Sequence, residues 1–136
     1  SAVKKTGELV NVSGDLNTIM AGLACGEGNT IGWDILRNHA AVFASCPDWM
    51  SAKATRIYAN PLEGDPHIVS GESGSVPLGL VYTALHDEDA RDLKEALKLD
   101  ENSNILVIST EGDTDPVRYR EIVWDGLYGT DKSLSK

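Results

Sequence analysis

An α/β fold is what this sequence predicts, and three observations carry the prediction. Short apolar or β-prone runs, Leu9–Val12, Ala40–Ala44 and Ile105–Ser109, end in turn residues. Segments with helical spacing alternate with them. The stretch Ile105-Leu-Val-Ile-Ser-Thr-Glu-Gly-Asp-Thr-Asp-Pro116 takes a buried-type strand through a glycine-containing turn into a helix start, the place where open α/β sheets hold small molecules. With 136 residues and 41% apolar content, the chain is expected to form one domain, residues 1–136, around one core.

Each element has its own reason. Leu9–Val12 reads as a short strand ended by Ser13-Gly14-Asp15, and Leu16–Leu23 as a helix capped by Asp15 or Ser13. The small-residue patch Ala21–Gly28 follows, where backbones can approach closely. Thr30 reads as the N-cap of a helix over 31–39, with Ile31, Ile35 and Leu36 as its inward stripe. After the strand at 40–44, Ser45-Cys-Pro-Asp48 caps a helix over 49–59 with Met50, Ala54, Ile57 and Tyr58 along one side. Asn60–Gly74 reads as a loop, and Val76–His86 as a helix apolar on nearly every face, the mark of a buried position. A polar helix runs from Asp87 to about Leu97, a turn covers 100–104, and Pro116 opens a helix to about Trp124 with Tyr119, Val123 and Trp124 packed inward. Trp33, Trp49 and Trp124 read as packing residues, and 130–136 as a disordered tail.

Composition excludes several classes. Twelve basic against 21 acidic side chains give a net charge of −9, which argues against nucleic acid and against an anionic membrane surface. No apolar run approaches the roughly 20 residues that span a bilayer, and no leader opens the chain, so a cytoplasmic protein is expected. The opening Ser1-Ala-Val-Lys-Lys, without an initiating methionine, reads as a processed or excised piece. Cys25 and Cys46 read as reduced thiols, with a disulfide between them left open, and no metal site is expected. His39, His67 and His86 share no catalytic spacing.

Two places offer chemistry. At the tip of the 105–109 strand, Ser109 and Thr110 present hydroxyls, and Ser109 can make one neutral hydrogen bond to a ring nitrogen without imposing a charge on it. Gly71-Glu-Ser-Gly-Ser75 heads the apolar helix, where N–H groups with Ser73 and Ser75 could hold an anion or a ligand oxygen. The plainer reading of Gly71–Ser75 is an N-cap with Glu72 in the favourable first turn, and that of Asp113 and Asp115 is capping.

Taken together, the runs 18–27, 33–37, 45–48, 70–74 and 109–115 resemble the carboxyl-terminal third of the diaminopropionate ammonia-lyases, of the fold-type II pyridoxal-phosphate enzymes related to tryptophan synthase β. The resemblance implies the three-layer αβα portion of that family's large domain, a partial sheet with flanking helices. It implies α,β-elimination of 2,3-diaminopropionate to pyruvate and ammonia, with pyridoxal phosphate as cofactor, a small amino-acid substrate and a homodimeric parent. Ser109 matches the position that meets the pyridine nitrogen, and Thr110, Gly71, Glu72, Ser73 and Gly74 complete the expected cofactor wall. No catalytic residue is assigned to this chain, because the resemblance places the Schiff-base lysine and the phosphate loop upstream. Lys4, Lys5, Lys53, Lys94 and Lys98 read as solvated charges. The chain alone is therefore expected to be inactive, to bind the cofactor weakly if at all, and to self-associate through Val76–Leu85. The alternatives are a stand-alone module binding a small anion at Gly71–Ser75, or an oligomerisation piece.

Overall fold

The expected sheet does not form. The computed structural model describes residues 8–129, so Lys4, Lys5 and the tail at 130–136 lie outside it. Within the described residues the regular elements are helices alone: α1 Thr30–His39, α2 Asp48–Ala59, α3 Glu72–His86, α4 Arg91–Leu97 and α5 Pro116–Val123, with 3₁₀ turns at Ala21–Leu23 and Glu88–Ala90. The α/β expectation, with its partial three-layer αβα sheet, is corrected on this point. The three strand candidates run without a ladder, and Leu106 (88% exposed) and Ile108 (68%) stand in solvent. The reason is that a helix closes its hydrogen bonds within its own segment, whereas a strand needs a second backbone alongside.

The described residues fall into two compact units, one ending at Ala44 and the other starting at Ser45. In the first, the amide of Val12 donates to the Gly26 carbonyl at 2.8 Å, and the helix expected over 16–23 shrinks to the 3₁₀ turn. Asn29, not Thr30, caps α1, its Oδ1 accepting from the Gly32 amide at 2.9 Å. The stripe of Ile31, Ile35 and Leu36 faces solvent, Ile31 at 78% exposure, while half-buried Trp33 packs on Phe43 with ring centroids 6.0 Å apart. Helical spacing was right for α1, but no partner covers that face among the described residues of this unit.

The second unit is built on α2 against α3. Buried Ser51, Ala52, Ala54 and Thr55 line the inner face of α2, with Met50, Ile57 and Tyr58 half-buried at its margins. Gly79 of α3 lies so close to the Met50 carbonyl that a Cβ there would run into main chain. Ser51 Oγ donates to the Glu72 carbonyl, tying the helices where small residues let them approach. Helix α5 packs on α2 through fully buried Ile122. Its N-cap is Asp115, whose Oδ1 accepts from the Arg118 amide at 3.0 Å, with Pro116 in the first turn as expected. Trp124 departs from expectation: it is 74% exposed, with the Arg120 guanidinium 4.8 Å from its ring centre. Arg56 of α2 closes the other end, donating to the carbonyls of Ile122, Leu127 and Tyr128 at 3.2, 3.0 and 3.3 Å. Lys53 is not simply solvated, since its ammonium sits 4.3 Å from the Tyr82 ring centre.

Helix α3 begins at Glu72, four residues earlier than its apolar run announces, because the polar first turn is held by tertiary contacts. Its buried positions are Glu72, Ser73, Gly74, Ser75, Val76, Gly79, Thr83 and Ala84, while Leu85 is exposed. It is anchored by small and polar side chains more than by the aliphatic ones that made it look buried. Asp87 ends α3 and caps the 3₁₀ turn, its Oδ1 accepting from the Asp89 amide at 3.1 Å before α4 starts. No described helix is long and apolar enough to cross a membrane.

Candidate functional site

The two motifs singled out from the sequence meet in the second unit. Gly71–Ser75 forms the first turn of α3, and the Ser109–Gly112 segment lies across it. The amide of Gly71 donates to the Glu111 carbonyl at 3.1 Å, and the amide of Ser73 donates to Glu111 Oε1 at 2.9 Å. Two of the N–H groups that a helix start leaves unpaired are thus taken by Glu111, whose carboxylate lies in the favourable field at the positive end of the helix dipole. The glycines serve this approach of chain to chain. A Cβ at Gly71 would press on the Gly112 carbonyl, and one at Gly74 would lie 2.9 Å from Ser70 Oγ, 3.0 Å from the Thr110 amide nitrogen and 3.2 Å from Ser109 Oγ.

Ser109 stands at the exposed end of the 105–109 run, its hydroxyl held from two sides. Its Oγ is 2.7 Å from Ser70 Oγ and 3.3 Å from the Glu111 carbonyl. Ser70 is fully buried, and its own carbonyl accepts from Ser75 Oγ at 3.2 Å. Thr110 is exposed beside it. Ser109, Thr110, Gly71, Glu72, Ser73 and Gly74 therefore come together as one polar patch. Sequence reasoning gave no role to Ser70 or Glu111; both stand inside the quoted motifs, but their partners are 38 or 39 residues away along the chain.

The electrostatics are acidic. Glu72 is 8% exposed, and its Oε1 has no hydrogen-bond partner among the described residues. Burial pushes its carboxyl above the ordinary range; the bond from its own amide and the Arg118 charge pull it down, while Glu111 and Asp115 push it further up. The Tyr119 hydroxyl is likewise buried without a partner, and burial, then the Asp113 charge, raise it. Three carboxylates around one helix start oppose a further anion, although the helix dipole alone would invite one. What the patch offers is a neutral hydroxyl at its rim and an orphaned carboxyl oxygen beneath. The neutral hydroxyl fits the nitrogen edge of a heterocycle, and the carboxylates around it do not fit a phosphate group.

No family model matches the chain. It is 52% identical over 122 residues to diaminopropionate ammonia-lyase from Escherichia coli strain K12, covering 90% of this chain and 31% of that protein. To the enzyme of the same name from Salmonella typhimurium it is 47% identical over 127 residues, covering 93% and 31%. Among solved structures, its backbone matches the Escherichia coli enzyme in complex with an aminoacrylate-PLP azomethine reaction intermediate with a TM-score of 0.84 at 46% identity, over 94% of this chain and 32% of that one. The apo form of the same enzyme matches with a TM-score of 0.73 over 78% of this chain. The chain is thus homologous to the diaminopropionate ammonia-lyases over nearly all of its own length, and it spans about a third of theirs.

Proposed function

We propose that this chain is the carboxyl-terminal part of a pyridoxal-phosphate-dependent ammonia-lyase that converts 2,3-diaminopropionate to pyruvate and ammonia, and that it forms the wall on the pyridine side of the site. The observation that carries the reading is the exposed Ser109 hydroxyl at the tip of the 105–109 run, docked against the first turn of α3 in a chain homologous to those enzymes.

Pyridoxal phosphate, when bound, supplies a ring that accepts the electrons released as the α-proton leaves. This chain's residues set how strongly it does so. Ser109 Oγ, whose bond to the Glu111 carbonyl is long at 3.3 Å, would donate to the ring nitrogen and leave it unprotonated. A carboxylate there would hold a proton on the nitrogen and deepen the electron sink; the neutral alcohol tempers it and favours elimination over transamination. Glu111 keeps the segment at 109–112 in register with α3, and Gly74 lets Ser109 come close. The phosphate end is assigned to the part of the enzyme that this chain does not span, a reading supported by the acidic surroundings of Glu72. Its covalent anchor is assigned to that part too, and the whole protein is expected to act as a homodimer.

The test is a coupled assay for pyruvate from diaminopropionate. The full-length polypeptide carrying this segment is expected to release one pyruvate and two ammonia per turnover, and the 136-residue chain alone none. Pyruvate released by the isolated chain would contradict this division of labour. The small-anion alternative is disfavoured by Glu111, whose carboxylate already caps the turn an anion would need.

A further inference from the structure

We infer that Ser70 is a positioning residue for Ser109, fixing the direction of the Ser109 hydroxyl hydrogen; the inference rests on the reading of Ser109 as the partner of the ring nitrogen. A count of hydrogens carries it. Each serine hydroxyl has one hydrogen to give and two lone pairs to receive. Ser70 is fully buried, so its hydrogen must find an acceptor within the protein. It has two within reach: the neighbouring Gly71 carbonyl at 3.4 Å, long and within its own turn, and Ser109 Oγ at 2.7 Å. The short contact wins, so Ser70 donates and Ser109 accepts.

Ser109 then keeps its own hydrogen. The acceptor it has here is the Glu111 carbonyl at 3.3 Å, a weak bond that a ring nitrogen with a lone pair displaces at little cost. A hydroxyl that already accepts a hydrogen bond also becomes a better donor. The pair works as a two-step chain, Ser70 to Ser109 to nitrogen, that favours an unprotonated acceptor. Ser75 holds the base of the chain through the Ser70 carbonyl at 3.2 Å, and Gly74 leaves room for it, since a Cβ there would reach both hydroxyls.

The experiment uses the full-length polypeptide loaded with pyridoxal phosphate labelled with ¹⁵N in the ring, read by nitrogen chemical shift and by cofactor affinity. Ser70→Ala is expected to move the ring-nitrogen resonance toward that of Ser109→Ala and to weaken cofactor binding about two- to tenfold, the worth of one hydrogen bond. The double variant is expected to match Ser109→Ala alone, because Ser70 acts only through Ser109. Ser70→Cys, nearly isosteric with a weaker donor, is expected to fall between wild type and Ser70→Ala, and it serves if the alanine variant does not fold. A Ser70 variant with the wild-type resonance, or losses that add in the double variant, would overturn the inference while leaving the Ser109 reading intact. A Ser109→Ala resonance equal to wild type would overturn that reading and this inference with it.

Discussion

Two neighbouring stretches of the second unit behave in opposite ways. The Ser109–Gly112 segment is polar, yet it is tied to α3 by main-chain and side-chain hydrogen bonds and brings buried serines with it. The Ile105–Ile108 run just before it is apolar, yet Leu106 and Ile108 face solvent and the run joins no ladder. Hydropathy alone would have ordered them the other way. What decides is whether each backbone finds a partner: the loop meets the unpaired N–H groups of a helix start, whereas the strand needs another strand. The first need is met within this chain. The second is not met among the described residues; under the proposed function the exposed apolar side chains of the run are expected to be covered by the rest of the enzyme.

Four substitutions test the contrast. Ile122 is fully buried where α5 meets α2, so Ile122→Ala should cost about 3–4 kcal/mol in urea unfolding of the chain. A loss under about 1 kcal/mol would mean that α5 does not belong to the cooperative core. Gly79→Ala should gain up to about 1 kcal/mol of helix propensity and lose more from a methyl driven into the Met50 carbonyl, for a net loss of about 2 kcal/mol in the same measurement. A more stable variant would show that α2 and α3 can move apart freely.

Glu72 tests the polar half by its pH dependence. Its pKa is raised in the folded state, first by burial, so the fold binds that proton more tightly than the unfolded chain does. Its unfavourable contribution is therefore absent below the unfolded glutamate value of about 4.3, grows as pH rises through the folded value, and is complete above it. Glu72→Gln should be more stable than wild type at pH 8, with the gap closing as the pH is lowered to about 4. A gap independent of pH would exclude the charge as its cause. Last, Leu106→Ser should change the stability of this chain by less than about 0.5 kcal/mol. In the full-length polypeptide the same change should cost about 2 kcal/mol, because there the side chain is expected to be covered. Equal small effects in both would leave the run without the partner proposed for it.

The helices were legible because their signals are local. Asp115 followed by Pro116 announced the start of α5, and Asn29 took the cap of α1 from its neighbour Thr30 without changing the helix. The sheet was not realised, since a strand needs a second backbone alongside, and the 105–109 run meets none among the described residues. The start of α3 is hidden from local pattern because Glu72, Ser73 and Ser75 look like loop residues until Glu111, Ser70 and Ser51 hold them. The site shows the same division. Ser109 and Gly71–Gly74 were visible as strand-tip and helix-start motifs, while the Ser70 partner of Ser109 depends on a contact across 39 residues that no local pattern encodes.

A crystal structure of the full-length polypeptide with pyridoxal phosphate would measure the position of the Ser109 oxygen. The expected result is Ser109 Oγ within about 2.6–3.2 Å of the pyridine nitrogen, still bonded to Ser70. A ring nitrogen facing a carboxylate or solvent, with Ser109 turned away from it, would contradict the account.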